Sequence, residues 1–170
     1  KILKDLNCPI DERGVRYCAE ITDAGQSESL GCFSIMTPDP LLGGLLPAYP
    51  LAECVAGNGR YVYQSGCMIT MGMAYIIERQ GIYERIDSLS RLKAIYAPIE
   101  TDTEALSYAI AATGYSTLYG TEIYTDTVYY VERLENTHVE VRGSEYVVRL
   151  YDYQWCGCGQ HETIAVDVAV

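Results

Sequence analysis

The sequence has little basic charge and no long apolar run. Twelve lysines and arginines stand against 23 aspartates and glutamates, so the formal net charge is −11. Because no basic stripe is present, the sequence argues against binding to nucleic acids or to anionic membrane surfaces. No apolar segment approaches the roughly 20 residues of a membrane-spanning helix, so we expect no membrane span.

The sequence also has few of the residues and motifs that carry catalysis. Only two histidines occur, His138 and His161, and neither lies in a nucleophile motif. No G-x-S-x-G, no glycine-rich phosphate loop and no D-x-D-x-D-G calcium loop is present. We therefore expect a protein that is not an enzyme and that holds no cofactor.

Acidic pairs leave one enzymatic alternative open. Glycoside hydrolases use two carboxylates on either side of the scissile bond. In two pairs of acidic residues, the predicted strands bring the two members of the pair close together. With 23 acidic residues such pairs also arise by chance. The two candidate pairs are Glu78 with Glu84 and Asp152 with Glu162.

Cysteine is abundant, which indicates an oxidising compartment. No C-x-x-C spacing of the kind typical of zinc sites or redox centres occurs, so disulfides are favoured over metal or redox chemistry. Seven is an odd number, so at least one thiol is free or pairs with another chain. We predict that six of the seven form disulfides, with a pairing that the sequence leaves open: Cys8, Cys18, Cys32, Cys54, Cys67, Cys156 and Cys158.

A metal site is the alternative use of the C-terminal cysteines. Cys156, Cys158 and His161 form a C-x-C-x-x-H pattern on a predicted turn. Together with one distant cysteine, these three side chains would provide four tetrahedral ligands. Disulfides and a surface histidine explain the same residues, so we expect no metal there.

The aromatic residues are almost all tyrosine, with 16 Tyr against one Trp (Trp155) and one Phe (Phe33). Tyrosine favours half-buried strand faces, and it is also common at interfaces and on sugar-binding surfaces. A tyrosine-rich glycan-binding module is therefore the alternative to a purely structural role.

Residues 37–53 form the most unusual segment. Its four prolines and the Gly43-Gly44 pair exclude a regular helix or central strand, yet it contains five leucines. These leucines either cover the core or form an exposed patch for a partner. If the leucines form a patch for a partner, and if the C-terminal strand adds to a neighbouring sheet, both segments contribute to an interface. Its residues would be Leu41, Leu42, Leu45, Leu46, Tyr49, Leu51, Val166, Val168 and Val170.

The fold class follows from the alternation of apolar and polar residues. Strands are predicted at 15–21, 30–36, 60–64, 68–78, 82–86, 121–134, 137–142, 145–154 and 161–170, and two short helices at about 88–97 and 102–113. In the second helix Thr101 and Glu104 match a capping box, and Leu106, Ala109, Ile110 and Thr113 form the apolar stripe. We predict one α+β domain over residues 1–170, with a mainly antiparallel sheet stapled by disulfides.

Residues 97–109, 148–153 and 156–161 resemble uncharacterised bacterial secreted or lipoprotein-type domains over about the last 80 residues. The resemblance implies a bacterial-envelope setting and no particular activity. No signal peptide is visible at Lys1, so if the protein is secreted we expect this sequence to be its processed form or a trimmed part of it.

These features together predict a secreted, acidic, non-enzymatic structural or interaction protein, located extracellularly, at the cell surface or in the periplasm. We expect its partner to be itself, as the subunit of an assembly such as a fibre or surface layer, or another surface protein. A glycan is the alternative partner.

Overall fold

Two β-sheets and two helices make up the described part of the chain. The computed structural model describes residues 32–36, 51–56, 59–66, 69–79, 82–119, 127–131, 133–154 and 161–170. The predicted α+β class, mainly antiparallel with two short helices, is confirmed within these residues. No described helix is long and apolar enough to cross a membrane.

The first sheet is entirely antiparallel, and its strands are β1 (Cys32–Met36), β2 (Leu51–Ala56), β3 (Tyr63–Ser65), β4 (Met71–Arg79) and β5 (Ile82–Ile86). β4 is its centre. One edge of β4 pairs with β2, and the other edge is shared by β3 near its start and β5 along the rest. The predicted hairpin of β4 and β5 is thus confirmed.

Both helices begin at the predicted caps. In α1 (Leu89–Tyr96), Ser88 Oγ accepts a hydrogen bond from the Arg91 N–H. In α2 (Asp102–Thr113), Thr101 Oγ1 accepts from the Glu104 N–H at 3.2 Å. The Glu104 carboxylate in turn accepts from the backbone N–H groups of Glu100 and Thr101. These bonds favour the ionised form and lower the pKa of Glu104.

The second sheet contains β6 (Thr127–Tyr130), β7 (Val139–Arg142), β8 (Glu145–Gln154) and β9 (His161–Ala169). Their order is β6-β9-β8-β7, with β6 parallel to β9 and the other pairs antiparallel. The bounds of β8 are those that its alternation predicts. The predicted strand 121–134 is described as a strand only at Thr127–Tyr130, and residues 120–126 and 132 lie outside the described residues.

Helix α2 packs against both sheets. Ala105 and Ala109 contact Val148 and Leu150 of β8. A second cluster joins α2 and α1 to the first sheet through Tyr75 and Ile77 of β4, Ile86 of β5, Leu92, Tyr96, Tyr108 and Ala111. Within that cluster the Tyr75 hydroxyl donates to the Ala111 carbonyl at 2.8 Å.

Two sequence predictions are corrected here. The predicted apolar stripe gives α2 a single buried face. Because the helix contacts two sheets, Ser107, Tyr108 and Ala111 are also buried. Leu106 and Ile110, which belong to the predicted stripe, are only half-buried. Residues 51–53, predicted as the end of an irregular loop, begin β2, because their backbone pairs with residues 75–77 of β4. Such pairing over a long sequence separation leaves no local signal.

Candidate interaction surface

One face of the second sheet is only partly covered by α2. Along β8, Val148 and Leu150 are buried against α2, whereas Asp152 is half-buried and Gln154 is exposed. Side chains on one face of a strand recur every second residue, so all four point to the same side. The covered half of this face is structural, and the far half is open.

The register places six side chains together on the open half, which we call the distal face. Tyr130, Ile164 and Asp152 are consecutive cross-strand partners, and so are Val128, Glu162 and Gln154. The distal face is defined by these six residues of β6, β9 and β8. Tyr130 is 58 % exposed and Ile164 is 38 % exposed, so an aromatic ring and a branched aliphatic group meet solvent side by side.

The distal face combines acceptors of hydrogen bonds with an aromatic ring. Tyr130 OH donates to Glu162 Oε1 at 3.4 Å, which ties the ring to the neighbouring strand. Asp152 supplies a second carboxylate and Gln154 supplies a carboxamide, and none of the six residues is basic. The face is therefore acidic and amphipathic, and it suits a partner that donates hydrogen bonds.

An open strand edge lies beside the distal face. β6 pairs only with the first four residues of β9, and no other described strand pairs with that side of Ala165–Ala169. Tyr146 and Val170 exchange both backbone hydrogen bonds, so even-numbered residues of β9 bond to β8. The backbone groups of Ala165, Asp167 and Ala169 consequently point away from β8. The Ala165 N–H faces Tyr130, which ends β6 and pairs with Ile164, so the groups offered for strand pairing are those of Asp167 and Ala169.

The opposite face of the second sheet is polar but more enclosed. Tyr129 and Tyr153 flank Thr163, and their ring centroids are 6.4 Å apart in an edge-to-face arrangement. Thr163 is fully buried, and its hydroxyl has no hydrogen-bond partner among the described residues. The same holds for the hydroxyls of Thr127 and Tyr129.

Toward β7 that opposite face becomes a set of ion pairs. Asp167 Oδ1 lies 3.0 Å from Arg149 Nε, and its other oxygen lies 3.6 Å from Arg142. Arg142 also bonds Glu140, and this contact lowers the pKa of the Glu140 carboxyl. Each guanidinium is matched by a carboxylate, so the set has no surplus cation to bind an anion.

A second group of charges fastens the first sheet to α1. The Asp87 carboxylate lies 3.1 Å from Arg60 Nε and 3.6 Å from the Arg91 guanidinium, which also contacts Glu84. Arg85 donates to the Arg60 carbonyl at 2.6 Å. These contacts hold the segment before β3 against the start of α1, so we assign the group a structural role.

The interface residues expected from the sequence lie in different environments. Leu41, Leu42, Leu45, Leu46 and Tyr49 lie outside the described residues, and Leu51 begins β2. Val166 is half-buried opposite Leu150. Val168 packs with the cluster of Ala105 and Leu150, and Val170 contacts both core clusters, so these two side chains meet their own chain.

The sequence reasoning missed Tyr130, and it identified Ile164 only as part of an alternating strand. The available signal was the even-numbered side of β9, which carries Ile164 as well as Val166 and Val168. What the alternation does not reveal is that α2 covers one end of this side and leaves the other open. Tyr130 reaches the same face only through the parallel pairing of β6 with β9.

The register of the strands separates the first of the two proposed carboxylate pairs and keeps the second together. Glu84 is the cross-strand partner of Ile77, and Glu78 is that of Tyr83, so Glu78 and Glu84 belong to opposite faces of their hairpin. Asp152 and Glu162 are diagonal neighbours on the distal face. Of the two candidate pairs, only the second shares a surface.

The cysteine and metal candidates are described only in part. His161 is a half-buried residue opposite Thr127, while Cys156 and Cys158 lie outside the described residues, as do Cys8, Cys18 and Cys67. Cys32 begins β1, and Cys54 is fully buried in β2. Within the described ranges no three His, Cys, Asp or Glu side chains cluster as metal ligands.

No protein-family model, no curated protein and no solved structure matches this chain. The function must therefore be argued from the geometry of its own surfaces.

Proposed function

We propose that the protein is a secreted, disulfide-stapled, non-enzymatic interaction protein that associates with further copies of itself in an extracellular assembly. The observation that carries the proposal is the edge of β9 over residues 166–169, with which no described strand pairs. An unpaired strand edge presents N–H and C=O groups that another strand can satisfy, so it is a ready site for β-sheet extension.

The chemistry of this edge suits a second copy of the same strand. Antiparallel pairing of two β9 edges would generate a two-fold axis, which is the commonest symmetry of homo-oligomers. Ala165 and Ala169 are small, so neither side chain obstructs an approaching strand. At such an edge the Asp167 carboxylates of two copies would repel one another. Each carboxylate is paired with Arg149 and Arg142 of its own chain, which reduces that repulsion.

The cysteines support the extracellular setting. Seven thiols in 170 residues without a C-x-x-C spacing are typical of an oxidising compartment. Cys54 is fully buried in β2, where a structural disulfide would be shielded from solvent. An odd cysteine would be available for a bridge to another copy.

A proline on the open edge tests the association. In Ala169→Pro the ring removes an N–H that points away from β8 and lies beyond the end of β6, so the fold should tolerate the change while pairing with a second strand is blocked. Ala169→Ser keeps the N–H and serves as the matched control. We expect sedimentation equilibrium to give masses above the 18.9 kDa monomer for the wild type and Ala169→Ser, and a monomer for Ala169→Pro.

Thermal melts of all three proteins would establish that they fold. A wild type that stays monomeric at every concentration and pH would contradict self-association. Association of Ala169→Pro as strong as that of the wild type would exclude the β9 edge. The intact mass of the unreduced protein after alkylation of free thiols would show separately whether copies are joined covalently and whether three internal disulfides form.

A further inference from the structure

We infer that the distal face is a binding site for a neutral saccharide, a function that is independent of association through the β9 edge. The argument rests on the six residues already placed there: Val128, Tyr130, Asp152, Gln154, Glu162 and Ile164. Four of them, Tyr130, Gln154, Glu162 and Ile164, are exposed, and Val128 and Asp152 are half-buried.

An exposed tyrosine provides the apolar half of saccharide recognition. The C–H groups on one side of a pyranose ring form an apolar surface that packs on an aromatic ring. Tyr130 is 58 % exposed, and its hydrogen bond to Glu162 restrains the ring without covering it. Ile164, its cross-strand partner, extends the apolar surface toward β8.

Planar polar side chains provide the other half. Sugar hydroxyls both donate and accept hydrogen bonds, and carboxylates and carboxamides offer two polar atoms in one plane. Asp152, Gln154 and Glu162 border the apolar pair on two adjacent strands. Strand spacing and residue rise give the distal face about 10 Å across the strands and about 7 Å along them, which suits a small saccharide.

Charge restricts the class of ligand. The distal face has two carboxylates and no basic residue, and the whole chain has a net charge of −11. Phosphorylated, sulfated and carboxylated sugars would be repelled, as would a second acidic copy of this protein docking through the same face. A neutral saccharide fits, whereas a basic protein segment is the competing occupant that the experiment must exclude.

Two equally exposed tyrosines make a controlled test possible. Tyr130→Ala removes the ring from the distal face, whereas Tyr119→Ala removes a ring that is 59 % exposed outside all strands. The probes are methyl glucoside, methyl galactoside, N-acetylglucosamine and cellobiose, measured by saturation-transfer NMR and titration calorimetry. We expect at least one to bind, Tyr130→Ala to weaken it about ten-fold or more, and Tyr119→Ala to leave it unchanged.

Further variants separate stacking from folding. Tyr130→Phe keeps the ring and loses the bond to Glu162, so binding should persist within a few-fold. Glu162→Gln keeps the shape and replaces a carboxylate, so affinity for a neutral sugar should fall by less than in Tyr130→Ala. Thermal melts would confirm that each variant is folded.

Three outcomes would overturn the inference. They are the absence of binding to every neutral probe, equal losses in Tyr130→Ala and Tyr119→Ala, and binding of polylysine at Tyr130 without binding of any saccharide. The last result would assign the face to a basic protein partner. Because Ala169→Pro leaves all six residues and the pairing of β6 intact, a monomeric Ala169→Pro that still binds sugar would separate this site from the association edge.

Discussion

Two buried threonines illustrate how much a single hydroxyl contributes in this protein. Thr137 is almost fully buried, and its Oγ1 accepts the Leu118 N–H at 2.9 Å. Thr163 is also fully buried, but its hydroxyl has no partner among the described residues. An unpaired buried hydroxyl costs free energy, whereas a paired one satisfies a backbone donor that would otherwise be lost.

Replacement of each threonine by valine, which has nearly the same shape, should therefore act in opposite directions. In Thr163→Val the unpaired hydroxyl disappears, and we expect the free energy of unfolding to rise by about 0 to 2 kcal/mol. In Thr137→Val the Leu118 N–H loses its acceptor, and we expect a loss of about 1–3 kcal/mol. Urea denaturation would measure both.

Equal destabilisation by the two substitutions would show that Thr163 has a hydrogen-bond partner. That result would also change the interpretation of the opposite face, where Thr127 and Tyr129 have hydroxyls of the same kind.

At the scale of elements, the C-terminal end of α2 packs closely against the first sheet because Gly114 has no side chain. Gly114 ends the helix at φ 71°, and its N–H donates to the Ile110 carbonyl at 2.8 Å. A Cβ atom at Gly114 would overlap the ring of Tyr63 on β3. Gly143, in the turn between β7 and β8, has a nearly identical φ of 69° but open space around it.

This pair of glycines separates backbone strain from packing. Gly143→Ala should cost about 1–2 kcal/mol, because only the left-handed conformation opposes the new side chain. Gly114→Ala carries the same strain and also displaces the Tyr63 ring, so we expect an additional loss of about 1–3 kcal/mol. Unfolding free energies from denaturant titration would test the difference. Equal losses would mean that Tyr63 moves aside at no cost.

The elements that the sequence predicts well are those with local signals. Both helices are bounded by the caps Ser88, Thr101 and Gly114, whose hydrogen bonds lie within a few residues of one another. β8 and β9 carry apolar residues with a period of two along one face, Val148 and Leu150 in β8 and Ile164, Val166 and Val168 in β9, and this pattern places both strands. A local pattern is enough wherever the stabilising contacts are themselves local.

The candidate surface could be predicted only in part, because it depends on contacts between distant segments. Pairing of β6 with β9 brings Tyr130 beside Ile164 over 34 residues of sequence, and alternation alone does not specify a partner. The cover that α2 gives to Val148 and Leu150 likewise depends on tertiary packing. The sequence indicated the acids and the tyrosines, but it did not indicate that some of them share a face.

At the scale of the whole molecule, α2 links the two sheets. Ile99 and Val170 pack against both core clusters, so the helical layer is continuous with each sheet. The apolar interior thus supports the sheet that carries both the distal face and the β9 edge. The chain as a whole has a net charge of −11.

That charge makes association through the β9 edge dependent on salt. Two copies that each carry a net charge of −11 repel one another, while backbone pairing at the edge is short-ranged and hardly screened. Raising the ionic strength from about 0.01 M to about 0.1 M shortens the screening length from about 30 Å to about 10 Å. We therefore expect the association constant from sedimentation equilibrium to rise several-fold over this range, and to rise again as the pH approaches the isoelectric point near 4.5. Dissociation by added salt would instead mean that complementary ion pairs hold the copies together. In that case the ion pairs of Asp167 with Arg142 and Arg149 would be the first contacts to examine, because Asp167 belongs to the β9 edge.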